Sequence, residues 1–401
     1  MNNYERSRVI EYKGIHPGIV FLLSKYPGFG YTSGGTERHF ELLVNNLPPH
    51  YQSHVFVSHE PDGISDHAIM DQSNLNNRVH IYGSNDPESL LDTLKKIQGN
   101  FGIIYIGSIS FLRNPDLFHR NAKALKGIPL VLRATSEKKV SEMLEQPSLW
   151  ESQLRLITQF ISQSPRLTEL VTRLLAKVNI SPEGKIVQIK NAVDSNRFFP
   201  VDLTERMRIK KEVFQVENPA ATVFVYTGRI ANTLKCVDTL IDTWHETGLY
   251  EDGHTLLLIG DYIRSEYGNN LFSNHHGKNN IVFTGSLSHP DLITMLQGSD
   301  VFVNPSKNEG LSNSILEAMA CELPVIARDG VSGNDMMVIQ NQTGFRFTSD
   351  QELHQQMIRF AKDSDLRLNL GKNARRLVEN DFGVDSMIYQ YQDVFRSSII
   401  V

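Results

Sequence analysis

The stretch from residue 301 to residue 347 constrains the fold of this chain more than any other. It opens with a short apolar run typical of a buried strand, crosses a polar turn at residues 305–308, and enters an apolar-periodic helix near residue 312. Glu309 precedes this predicted helix and Glu317 lies inside it, with seven residues between them. A strand, a glycine-containing loop and a helix start direct backbone N–H groups at one point, which favours phosphate binding.

The two glutamates need a different role, because carboxylates do not bind phosphate themselves. A carboxylate accepts hydrogen bonds, so Glu309 and Glu317 are interpreted as acceptors for hydroxyl groups of a sugar and a ribose that flank the phosphates. The phosphates themselves are expected near the backbone of the intervening loop, at Gly310, Leu311, Ser312 and Asn313.

A wider pattern surrounds these two acids. Glu309 is followed by Gly-Leu, then five residues, then Glu317 in the run Glu-Ala-Met-Ala, and Leu-Pro-Val-Ile-Ala follows. This pattern resembles the retaining GT-B glycosyltransferases of sequence family four, also called glycosyl transferases group 1. The resemblance extends over about residues 18–396 and is strongest in the second half. It implies an α/β fold of two Rossmann-like, doubly wound domains that face each other across a cleft.

The length of 401 residues also favours two domains, because one core seldom organises a chain of this size. The resemblance places an acceptor-side domain at residues 1–192, completed by a C-terminal helix at 385–401, and a donor-binding domain at 193–384. Apolar runs predict parallel strands in the first domain, whereas the basic stretch 155–177 is predicted to be helical. The predicted strands lie at residues 19–24, 54–58, 78–82, 103–106, 130–133 and 186–189.

Cations are expected beside the phosphates in the second domain. A predicted strand at 222–227 is followed by Gly228, Arg229 and, before the next predicted helix, Lys235. Two cations at this place would neutralise a diphosphate without a metal ion. The resembled family has its lysine five residues after the arginine, and here the spacing is six. The family also implies that the backbone around Thr284 contacts the nucleobase.

The first domain contributes two further candidate segments. Gly34 and Gly35 precede an apolar-periodic helix and do not match the dinucleotide fingerprint. The resemblance places this pair in the cleft near the donor phosphate. Many relatives carry a histidine after the strand at 130–133, whereas Thr135, Ser136 and Glu137 stand there in this chain. These three residues are candidates for acceptor binding or form an ordinary surface loop.

Composition limits the kinds of partner and the compartment that we expect for this protein. The net charge of −5 gives no reason to expect nucleic acid, and two distant cysteines indicate a reducing compartment. No apolar stretch approaches the length of a membrane span, and the start lacks the apolar run of a signal peptide. We therefore expect a cytoplasmic protein with at most peripheral contact with the inner face of the membrane.

The predicted activity is the transfer of a sugar from a nucleoside-diphosphate sugar to a hydroxyl of a glycan or glycolipid, without metal or other cofactor. The resemblance assigns Glu309, Arg229 and Lys235 to catalysis, and the expected setting is bacterial surface polysaccharide or glycoconjugate synthesis. Alternatives are a non-catalytic nucleotide-sugar-binding subunit and another GT-B enzyme such as an epimerase. A nicotinamide-dependent oxidoreductase is disfavoured, since the glycine fingerprint is missing.

Overall fold

The computed structural model describes residues 18–23, 35–48, 50–57, 79–83, 101–108, 112 and 127–399. Its strands follow the apolar runs of the sequence. In chain order they are β1 Gly18–Leu23, β2 Ser53–Val57, β3 Val79–Gly83, β4 Phe101–Ile106, β5 Leu130–Ala134, β6 Gln159–Ser162, β7 Ile186–Gln188, β8 Val223–Thr227, β9 Thr255–Ile259, β10 Ile281–Gly285, β11 Val301–Asn304, β12 Val325–Arg328 and β13 Gly344–Phe347.

The described strands form two sheets. The first has seven strands in the order β3-β2-β1-β4-β5-β6-β7, and the second has six in the order β10-β9-β8-β11-β12-β13. Every paired neighbour in both sheets is parallel. Since parallel neighbours need crossover connections, this arrangement confirms the predicted pair of doubly wound α/β units.

Helices supply the crossovers among the described residues. They are α1 Gly35–Asn46, α2 Glu137–Glu145, α3 Glu151–Leu156, α4 Pro165–Lys177, α5 Leu203–Glu212, α6 Val237–Thr247, α7 Glu266–His275, α8 His289–Gly298, α9 Asn313–Ala320, α10 Asn334–Met337, α11 Asp350–Lys362, α12 Ser364–Asp381 and α13 Val384–Ile399.

The first sheet is covered on both faces. Ile19 and Phe21 of β1 pack on the side of α1 and α13, whereas Val20 and Leu22 pack on the side of α2, α3 and α4. This alternation follows from the two-residue period of a strand and explains why β1 is apolar throughout. The C-terminal helix α13 therefore belongs to the core of the first sheet.

The second sheet is also buried on both faces. One face packs against α8, α9 and α12, where residues 315–320 of α9 are all buried. The other face packs against α6 and α11, with Trp244 fully buried at its centre. Helices cover both faces of this sheet. Ligands of such sheets bind beyond the carboxyl ends of the strands.

One element was predicted wrongly. The stretch 155–177 is not helical throughout, because residues Gln159–Ser162 form β6 between the ends of α3 and the start of α4. This strand pairs with β5 on one side and with β7 on the other. Its short sequence, with only two apolar residues, carries too little periodicity to separate it from the neighbouring helices.

The chain crosses between the two sheets at two adjacent points. Val193 forms an isolated parallel bridge with Gly383, and its N–H donates to the carbonyl of Phe382 at 3.0 Å. The outgoing and returning segments therefore run side by side. Within the described part of the chain, no helix has the length and apolar character that crossing a membrane requires.

Candidate functional site

The carboxyl ends of both sheets meet at one place. Gly310, in the loop after β11, lies so close to the first sheet that an added Cβ would stand 2.1 Å from Nε2 of Gln163 and 3.3 Å from the carbonyl oxygen of Thr135. Gln163 follows β6 and Thr135 follows β5. Ligands of doubly wound sheets bind beyond the carboxyl ends of the strands, so this meeting point is the candidate site.

Glu309 and Lys235 are brought together here. Lys235 Nζ lies 2.5 Å from Oε1 of Glu309, and the two side chains are 21% and 18% exposed. Lys235 ends a single 3-10 turn, Thr233–Lys235, and α6 begins only after Cys236, which adopts a left-handed φ of 50°. The six-residue spacing from Arg229 is accommodated in this turn.

Arg229 follows β8 in a tightly packed corner. A Cβ on Gly260 would lie 1.9 Å from the carbonyl oxygen of Gly228, so the ends of β8 and β9 meet backbone to backbone. Gly228 itself has a φ of +157° and stands beside the Tyr226 hydroxyl. The side chain of Arg229 is exposed, and it makes no hydrogen bond or ion pair with the part of the chain that the structure describes.

Glu317 lies on α9 and is almost completely buried. Its two carboxylate oxygens accept hydrogen bonds from Nη1 of Arg38 at 2.7 and 2.8 Å. The Glu317 side chain is 5% exposed and that of Arg38 is 27% exposed. Arg38 belongs to α1, so this ion pair joins the first sheet's layer to the second sheet's layer.

Asn191 forms a second link across the site. Its Nδ2 donates to the Leu311 carbonyl at 2.6 Å and to Oδ1 of Asn313 at 2.7 Å, and its Oδ1 accepts from Arg133. Arg133 is 1% exposed and also donates to Gln163 at 3.3 Å. No carboxylate pairs with this buried guanidinium among the described residues, so amide oxygens alone solvate it.

The start of α9 retains its backbone donors. Ser312 occupies the N-cap position, yet its hydroxyl lies 3.0 Å from the Ser314 hydroxyl and makes no capping hydrogen bond. The α8 and α11 helices, in contrast, are capped by Ser288 and Ser349. Uncapped N–H groups at the end of a dipole are suited to an anion.

The other residues predicted for the site, apart from Gly34, lie within the described part of the chain. Thr284 is the last residue but one of β10, and its hydroxyl donates to the Gly285 carbonyl at 2.9 Å. Gly35 is the first residue of α1, whereas Gly34 lies outside the described residues. Ser136 caps α2 by accepting from the Lys139 N–H at 3.3 Å. Glu137 pairs with Arg166 at 3.1 Å.

A buried histidine, His39, lies in the first sheet's helix layer. His39 of α1 lies 2.9 Å from the Tyr391 hydroxyl, and Tyr391 lies 3.0 Å from the Tyr105 hydroxyl. Burial holds the pKa of His39 well below its usual range, and the charge of Arg133 lowers this pKa further. His39 is therefore a neutral residue that ties α1 to α13.

A second histidine gives a prediction about pH. Burial, followed by the charges of Arg197 and Arg38, lowers the pKa of His289 to about 4 from 6.5. Between pH 6.5 and pH 4 the unfolded chain therefore binds a proton at His289 that the folded protein does not. The free energy of unfolding should fall over this window as the pH is lowered. We expect the melting temperature of His289→Gln to fall less than that of the wild type over this window. Identical slopes in a pH series of melting curves would contradict the assignment.

Sequence reasoning gave Arg38 and Arg133 no role in the candidate site. Arg38 stands in the first turn of α1, where a cation opposes the helix dipole, and this was the signal in the sequence. Arg133 is the fourth residue of the otherwise apolar strand β5, where a buried charge is unusual. Neither signal identifies the partner, which lies 279 positions away for Arg38 and 58 positions away for Arg133.

Comparison with known proteins agrees with this architecture. Residues 208–377 match the family model described as Glycosyl transferases group 1. The structure of Anabaena HepE in complex with UDP-glucose superposes with a TM-score of 0.72 at 18% identity, covering 95% of this chain and 100% of that one. At this identity the likeness shows the fold alone, which is GT-B.

Two curated relatives are similar in sequence. N-acetyl-alpha-D-glucosaminyl L-malate synthase of Bacillus anthracis is 25% identical over 60% of this chain and 61% of that protein. UDP-Gal:alpha-D-GlcNAc-diphosphoundecaprenol alpha-1,3-galactosyltransferase of Escherichia coli is 27% identical over 54% and 55%. The chain thus spans less than two thirds of the length of these relatives.

Proposed function

We propose that this protein is a retaining glycosyltransferase that moves a sugar from a nucleoside-diphosphate sugar to a hydroxyl of a glycan or glycolipid. The observation that carries the proposal is the Lys235–Glu309 pair, 2.5 Å apart at the carboxyl ends of the strands. The pair sets a cation beside a carboxylate that can accept hydrogen bonds from hydroxyl groups. Glu309 belongs to the loop that leads into the uncapped start of α9. A sugar diphosphate presents the matching groups in the same order.

The chemistry follows from where charge develops. As the bond from the anomeric carbon to the diphosphate breaks, negative charge grows on the phosphate oxygen, and Lys235, Arg229 and the amides at residues 310–313 stabilise it. Glu309 then loses its lysine partner, accepts hydrogen bonds from the sugar hydroxyls and supports the cationic anomeric carbon. Glu317 binds the ribose. We infer a same-face displacement in which the leaving phosphate oxygen takes the acceptor proton, with side-chain cations in the place of a metal ion.

The acceptor side is assigned to residues 1–192 together with 385–401, and the donor side to residues 193–384. The paired crossings at Val193 and Gly383 support these limits. The name of the Escherichia coli relative describes a sugar linked to diphosphoundecaprenol as acceptor, which supports a lipid-linked glycan and a role in surface polysaccharide or glycoconjugate synthesis. Thr135 lines the cleft toward Gly310 and is the first acceptor candidate. Ser136 and Glu137 follow it.

The proposal is tested by thermal stabilisation with UDP, GDP, ADP and CDP in EDTA, followed by their sugar derivatives. A ligand present at 100 times its dissociation constant adds about 2.7 kcal/mol to the unfolding free energy, which a melting curve resolves. We expect one diphosphate to stabilise the protein without metal, and its sugar derivative to be consumed when a lipid-linked acceptor is added. Binding without turnover would favour a non-catalytic subunit, and no binding at all would refute the donor site.

A further inference from the structure

The carboxylate assigned to the ribose already has a partner within the protein. Both oxygens of Glu317 contact the same nitrogen of Arg38, and the Glu317 side chain is only 5% exposed. The guanidinium, at 27% exposure, is the more accessible partner. Ribose hydroxyls therefore reach Glu317 only when Arg38 gives up part or all of this contact.

That exchange is unfavourable for a ligand without charge. Hydroxyl groups and a guanidinium both make charge-assisted hydrogen bonds to a carboxylate, but only the guanidinium adds the attraction of an opposite charge, so two hydroxyls do not fully replace Arg38. The charge of Glu41, on the same helix, also acts on Arg38, while the charge of Arg197 acts with that of Arg38 on His289. A phosphate that replaces Glu317 as the partner of Arg38 restores the opposite charge that the guanidinium loses.

We propose that Arg38 is a specificity-determining residue of the donor site, which covers Glu317 until a nucleotide binds and then contacts the diphosphate of that nucleotide. This inference rests on the proposed function, since it requires the ribose at Glu317 and the phosphates near Lys235. Arg38 lies in the first turn of α1, on the side of the cleft opposite Lys235. The diphosphate is then held by cations from both sides of the cleft.

The expected consequence is selection for phosphate. A nucleoside breaks the Arg38–Glu317 pair and offers the guanidinium no anion, whereas a nucleoside diphosphate breaks the same pair and offers two phosphates. Removing Arg38 should therefore move the two affinities in opposite directions. If Arg38 only held the two sheets' layers together, its removal would lower both affinities. If it only blocked Glu317, its removal would raise both affinities.

The experiment measures dissociation constants by calorimetry or displacement for whichever diphosphate stabilises the wild type and for its matching nucleoside. Arg38→Gln should weaken diphosphate binding about tenfold or more and strengthen nucleoside binding severalfold. Arg38→Lys keeps a cation and should retain more diphosphate affinity than the glutamine variant. Arg208→Gln, which removes an exposed Arg–Glu pair on α5, is the matched control and should leave both constants unchanged.

The outcomes separate cleanly. Opposite shifts in Arg38→Gln support the inference, provided that its melting curve without ligand remains cooperative, and the lysine variant provides the same comparison if glutamine impairs folding. Shifts of both constants in the same direction, or an unchanged nucleoside affinity, overturn the role of Arg38 and leave the proposed function standing. A wild-type protein that binds no diphosphate overturns the proposed function and this inference together.

Discussion

Glu309→Gln is expected to lower kcat for sugar transfer by about 100-fold or more, because the carboxylate charge beside the anomeric carbon is lost. Binding of the nucleoside diphosphate should persist or improve, since Lys235 no longer has a carboxylate at 2.5 Å to compete with phosphate. Glutamine keeps the size of the side chain and an amide oxygen that accepts a hydrogen bond from Lys235, so the melting temperature should change little. Steady-state kinetics, diphosphate affinity and a melting curve measure the three expectations separately.

Glu251→Gln is the control for this variant. Glu251 is an exposed acid in the 3-10 turn after α6, where it has no place in the site. Its variant should have the kinetics of the wild type. Near-normal turnover by Glu309→Gln would refute the catalytic assignment, and a parallel loss of diphosphate affinity would show that Glu309 supports the phosphate site instead.

Asn191→Leu should lower the free energy of unfolding by about 3–5 kcal/mol, because it leaves buried groups without partners. The buried guanidinium of Arg133 loses an acceptor, and the carbonyl of Leu311 loses a donor at 2.6 Å. The same change releases the loop before α9, so diphosphate affinity should fall as well. Urea unfolding and calorimetry measure the two effects.

Asn191→Asp separates the two contributions. An aspartate keeps an acceptor for Arg133 and adds a charge to that contact, yet it has no N–H to donate to Leu311 or Asn313. We expect a stability between those of the wild type and Asn191→Leu, with weakened diphosphate binding. Asn274→Leu on the exposed side of α7 is the control and should alter neither quantity. Full diphosphate affinity in Asn191→Asp would show that the loop does not depend on this link.

The strands were predictable where the sequence alone determines burial. Residues 19–23 and 301–303 are apolar at every position because parallel strands are covered on both faces, and both runs lie within strands of the structure. The strand at Gln159–Ser162 was missed because Gln159 and Ser162 break its apolar run. Its place in the sheet is set by pairing with β5 and β7, which local sequence does not report.

The site was predictable only where its residues are close in sequence. The spacing of Glu309 and Glu317 and the position of Lys235 are local patterns, and the structure places Lys235 against Glu309 across 74 positions. The roles of these residues stay predictions. Arg38 and Asn191 contact their partners only through the approach of the two sheets, and no local rule links them. Ser136 was ambiguous for another reason, since the same hydroxyl suits a helix cap and an acceptor contact.

The packing of α13 also determines the order in which the two sheets can fold during protein synthesis. Tyr391 contacts His39 and Tyr105 across 352 and 286 positions, so the core beneath β1 and β4 is incomplete until the ribosome has made the last helix. The second sheet, with its helices, is contained between the two crossings and has all its strands earlier. We expect the nascent chain to fold its later half first and to expose the apolar face of β1 for most of translation, which makes that face the natural substrate for a chaperone.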